Sequence, residues 1–132
     1  IASRCNTDIG EAKAMAIIPF KNKEELLINL KQTSEYLSSF SNNNAIPNHG
    51  FENINYELKF LAIEDSFLEV GSFKKISNLS ETAITLIQFL KKFEDYYPNL
   101  YQKASQIDIV KLIIQRIDEV VDNIYNDTVA KW

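Results

Sequence analysis

Glycine, proline, cysteine and arginine are all scarce in this chain, and each shortage removes a class of answer. Three glycines and three prolines in 132 residues are too few for the many turns of an all-β domain, and they favour long helices with few connections. The single cysteine, Cys5, has no partner for an internal disulfide, which suits a reducing compartment. Together with the one histidine, His49, it cannot make a usual structural zinc site. Only Arg4 and Arg116 carry a guanidinium, and 14 basic against 18 acidic residues leave a net charge of -4. A surface that neutralises many phosphates is usually basic, so nucleic-acid binding by this chain alone is disfavoured. Long apolar runs are missing too. Leu26-Leu27-Ile28 and Leu112-Ile113-Ile114 are short and flanked by charge, so no segment is expected to span a bilayer. No signal-peptide pattern is visible, and a cytoplasmic location is the expectation.

What is present is ordinary globular composition, 45% hydrophobic and 24% charged, in a length that suits one domain with a real core. The sequence begins with Ile1 rather than Met, and Trp132 follows closely on a strongly helical stretch. Residues 1–132 therefore read as a single helical domain, a piece of a longer protein.

Spacing of apolar residues organises the chain. Ile1, Cys5, Ile9, Ala12 and Ala16 recur every three or four positions, which predicts a helix closed by Pro19. Gly10 inside it costs about 1 kcal/mol relative to Ala and points to a tight approach there. Asn22 with Glu25 predicts a capping box for a second helix. Its seam is heptad-like: Leu26, Leu30, Thr33, Leu37 and Phe40. Ser41-Asn42-Asn43-Asn44 ends that helix and opens an Asn-rich loop of about a dozen residues reaching Asn53. Ile54, Leu58 and Leu61 predict a short helix ending near Glu64-Asp65. A long helix follows from about residues 68–72, with Phe73, Ile76, Ser80, Ala83, Ile87, Leu90 and Glu94 as its stripe, widened by Leu79, Leu86 and Phe93. Tyr96-Tyr97-Pro98 stops it, and Pro98 suits the first position of a short helix reaching Ser105. A last helix is expected over 108–125, apolar around more than half its circumference and so either central or docked on something else. The expected fold is all-α, a bundle of long amphipathic helices with one Asn-rich loop.

Chemistry is hard to find. Gly10, Gly50 and Gly71 are far apart and none precedes Lys-Ser or Lys-Thr, so there is no phosphate-binding loop. Cys5 as a nucleophile would need a base beside it. It shares the apolar spacing of Ile1 and Ile9 and reads as a small hydrophobe. The acidic pairs Glu24-Glu25, Glu64-Asp65, Glu94-Asp95 and Asp118-Glu119 diverge, because adjacent residues on a helix point about 100° apart. The aromatics Phe89, Phe93, Tyr96, Tyr97 and Tyr101 could form a base-stacking platform. The lysines around them are offset by Glu94 and Asp95, and core packing at a helix corner is the better reading. No catalytic, cofactor or metal residue is assigned.

The order of certain residues does resemble a known family. Cys5, Thr7 and Gly10, then Ile18-Pro19, the acidic start Lys23-Glu24-Glu25 and the run Thr33-Ser34-Glu35 resemble the core, or lever, segment of MutS-type ATPases, with the MutS-two-like branch as the nearest pattern. Ile46-Pro47 before Phe51-Glu52-Asn53-Ile54 resembles the next join. Phe67-Leu68-Glu69-Val70, Leu79 and Leu86 to Leu90 resemble a later helix, so that the match covers residues 1–120. Tyr36 is bulkier than the small residue of the pattern, and residues 122–127 follow the expected turn only loosely. The resemblance implies a fragment without catalytic residues of its own, from a homodimeric DNA-binding ATPase of mismatch repair or recombination control. ATP, Mg and the clamp that meets DNA would lie downstream. The fragment's partners would be those clamp and ATPase domains. The competing expectation is a free-standing helical module that captures a partner helix.

Overall fold

The computed structural model describes residues 1–107, and the helix expected over 108–125 lies outside them. Among the described residues the fold is all-α: a 3₁₀ turn, Ala2–Arg4, and five helices, α1 (Asp8–Met15), α2 (Lys23–Ser38), α3 (Asn55–Leu61), α4 (Val70–Lys92) and α5 (Pro98–Ala104).

The first helix is shorter than the apolar spacing predicts. Thr7 takes extended backbone angles and its hydroxyl accepts the Gly10 N–H at 3.0 Å. That cap starts α1 at Asp8, whose carboxylate favours the positive helix end. Residues 1–6 therefore stay outside the helix, Ile1 is 95% exposed and Cys5 is exposed, which corrects their assignment to an apolar face. Gly10 does mark a tight spot, since a Cβ there would stand 3.0 Å from Thr7 Oγ1.

Asn22 caps α2 by accepting the Glu24 N–H at 2.8 Å. The seam of this helix is the main departure from expectation. Leu30, Leu37 and Phe40 are 55%, 61% and 74% exposed, while Asn29, Gln32, Glu35, Tyr36 and Ser39 are half-buried or buried. The packed face is thus a polar stripe at three- and four-residue spacing, and the leucines face outward.

Helix α3 shows a similar inversion. Glu57 is its buried residue, 3% exposed, and one carboxylate oxygen meets Lys75 Nζ of α4 at 3.5 Å, while the other has no hydrogen-bond partner. Leu58 and Leu61 are exposed. Asp65, at φ 60°, turns the chain after α3. Ser66 Oγ donates to the carbonyl of Phe60, and to that of Ile63 at 2.8 Å.

Helix α4 turns most of its predicted stripe away from solvent: Phe73, Ile76, Ser80, Ala83, Ile87 and Leu90 are all half-buried or buried, while Glu94 falls beyond the helix end and is exposed. It ends at Lys92, with Lys91 and Lys92 beside the negative end of the helix dipole. Pro98 then opens α5 at the first position, where its missing N–H costs nothing. Helix α5 packs against both α2 and α4. The core sits at this corner: Leu90, Tyr97 and Ala104 are buried, with Ile46, Leu86, Phe89, Phe93 and Leu100 against them.

Candidate functional site

The junction of α2 and α5 gathers the densest set of polar contacts between helices among the described residues. The first residue of α5 is proline and Tyr97 at its N-cap offers no side-chain cap, so the next N–H groups need an acceptor from elsewhere. Glu35 of α2 supplies it. Its Oε1 accepts the Asn99 N–H at 3.0 Å and the Asn99 Nδ2 at 2.5 Å, and its Oε2 accepts the Leu100 N–H at 2.9 Å. A carboxylate here also meets the positive end of the α5 dipole. The Glu35 of the Thr33-Ser34-Glu35 run is therefore a cap lent by one helix to another 64 residues away. Thr33 itself bonds back to the Asn29 carbonyl.

Two further links fasten the loop between α2 and α3 to this corner. The fully buried Tyr97 donates its hydroxyl proton to the Asn44 carbonyl at 2.5 Å. His49 has its Nε2 3.4 Å from the Tyr36 hydroxyl and its Nδ1 3.0 Å from the Pro47 carbonyl. The rings of Tyr36 and His49 meet edge to face at 5.8 Å. His49 is engaged with its own loop and α2, and Cys5 is exposed with its thiol 3.9 Å from the Ile1 carbonyl. Neither residue has the other as a partner.

The aromatic group at the α4–α5 corner is mostly packing. Phe89 stands 4.8 Å from Phe93 and 6.0 Å from Tyr97 between ring centres, and Tyr101 also packs on the core. Tyr96 is the exception, 56% exposed. Glu24-Glu25, Glu64-Asp65 and Glu94-Asp95 are all exposed, and Asp118-Glu119 lies outside the described residues. Among the described residues no three His, Cys, Asp or Glu side chains gather as a metal site, and no helix is long and apolar enough to cross a membrane.

Two clefts open on the surface of the described residues. One of about 300 Å³ runs between α2 and α5 and is walled by the carboxamides of Asn29, Gln32, Asn99 and Gln102 with Lys103. The other, about 400 Å³, lies between α3 and the start of α4, where Tyr56, Phe60 and Phe67 face Glu69, Ser66 and Ser72. Sequence reasoning missed the second cleft because its residues are scattered over turn and helix ends. The only local hint is an aromatic-rich stretch from Tyr56 to Phe67 closed by an acidic residue.

Comparison with known proteins gives a distant relative. Over 120 residues the chain is 26% identical to a protein named endonuclease MutS2 from Alkaliphilus oremlandii (strain OhILAs), a match that covers 89% of this chain and 15% of that protein. No family model matches the chain, and no solved structure does. The similarity supports a relationship to the MutS family. The chain spans about a seventh of the length of the relative it matches.

Proposed function

We propose that this chain is a non-catalytic helical core, or lever, module of a MutS-family protein of the MutS-two-like branch. It would couple the nucleotide state of a downstream ATPase domain to a clamp on DNA, in mismatch repair or recombination control. The carrying observation is the 120-residue similarity to the protein named endonuclease MutS2. The order of small, apolar and acidic positions through residue 120 supports the same reading.

The helix junction suits a mechanical part. Glu35 binds the start of α5 to α2 through three donors, so the two helices move as one body. Packed helices shift between discrete arrangements rather than deforming continuously. Gly10 stands in α1, Gly50 in a loop and Gly71 in the first turn of α4. Three isolated glycines cannot form a cradle of backbone amides around phosphates, so the residues of this chain do not fit ATP and Mg. The parent's ATP site, its DNA clamp and its homodimer contacts would belong to other parts of a cytoplasmic protein.

The coding sequence beyond codon 132 provides a direct test. A reading frame that continues into a glycine-rich loop followed by Lys and Ser or Thr supports the proposal. A stop codon soon after Trp132 overturns it and leaves a free-standing module.

A further inference from the structure

The cleft between α3 and α4 has a composition that selects for charge. Tyr56 and Phe60 stand 4.6 Å apart between ring centres, tilted at 46°, and Phe67 completes the aromatic wall. Tyr56 is 64% and Phe67 88% exposed, so the aromatic wall is open to solvent. Glu69 lines the same cleft and occupies the N-cap of α4 without making a side-chain cap bond. Ser66, which also lines the cleft, is committed to the carbonyls of Phe60 and Ile63. Among the described residues no basic side chain lines the cleft, and residues 64–69 carry Glu64, Asp65 and Glu69 with no Lys or Arg.

We propose that this cleft takes the guanidinium of an arginine side chain presented by a partner polypeptide. A neutral apolar occupant would leave the exposed Glu69 carboxylate without a partner, and an anion would be repelled by it. A cation meets both the negative faces of the rings and the carboxylate. A guanidinium suits the site better than an ammonium, because it is planar, stacks on rings and pairs with a carboxylate through two N–H donors. The volume of about 400 Å³ is in the range that holds a whole side chain. Leu68 lines the cleft for the methylene stem of the arginine, and a rim as exposed as Phe67 is open at the surface to a side chain carried on a polypeptide.

The test is an NMR titration of the full 132-residue chain with the blocked peptide Gly-Gly-Arg-Gly-Gly. Its citrulline counterpart, which is neutral but of the same shape, and free arginine amide are run beside it. The proposal expects the arginine peptide to shift the ring signals of Tyr56, Phe60 and Phe67. The citrulline peptide should bind about tenfold more weakly, the loss of one cation–π and charge contact. Glu69→Gln and Phe67→Ala should each weaken the arginine peptide about fivefold while leaving the helical circular dichroism unchanged. Equal binding of the citrulline peptide, or shifts confined to residues outside the cleft, would overturn it. Free arginine amide binding as tightly as the peptide would overturn the polypeptide source.

Discussion

Glu35 receives two backbone N–H groups and one carboxamide from α5, and each would be left without an acceptor if the side chain were cut back. Removing it leaves the helix start uncapped beside a half-buried carboxamide. Glu35→Ala is expected to lower stability by about 1–3 kcal/mol, with Glu35→Gln recovering part of the loss, as urea unfolding would measure. Tyr97 offers a cleaner subtraction. Tyr97→Phe keeps the ring in the core and removes only the bond to the Asn44 carbonyl. That should cost about 1–2 kcal/mol and loosen the Asn-rich loop, seen as faster amide exchange over residues 42–46. A Tyr97→Phe variant as stable as the parent would show that the loop is held by Ile46 packing instead.

At the level of elements, what was legible in the sequence depends on which signal set the structure. The limits of α4 and α5 are marked by local chemistry: lysines at the end of one, Pro98 at the start of the other. The stripe of α4 is also on its inner face. The packing face of α2 was not legible, because periodicity locates a helix without saying which neighbour meets it. Here the neighbour is the start of α5, which needs an acceptor, so Glu35 and the carboxamides turn inward and the leucines turn out. Glu57 replaced Leu58 as the buried residue of α3 for a like reason, its pairing with Lys75. The start of α1 was misplaced because a threonine cap outweighed an apolar spacing that ran through it. This contrast can be measured. Leu90→Ala, in the core, should cost about 2–5 kcal/mol. Leu30→Ala, on the outer side of α2, should stay within about 0.5 kcal/mol. A large loss at Leu30 would mean that α2 packs by its seam after all.

For the whole molecule, three buried hydrophobic side chains form the core among the described residues, and much of the remaining apolar surface lies along α2 and α3. Candidate chemistry was legible only in the negative: the sequence offered scattered glycines, one thiol and one imidazole, and the fold engages the imidazole with Tyr36 and Pro47. The aromatic cleft escaped notice because Phe67 and Glu69 lie in the turn beyond α3, outside the four-residue spacing of Tyr56 and Phe60. The reading of the chain as a mechanical part of a MutS-family ATPase is tested most directly by comparing two proteins. ATP hydrolysis and branched-DNA binding are measured for residues 1–132 and for the natural polypeptide extended downstream. The account predicts no turnover above buffer for the short chain, with both activities in the extended one. Appreciable ATP turnover by the short chain itself would contradict it.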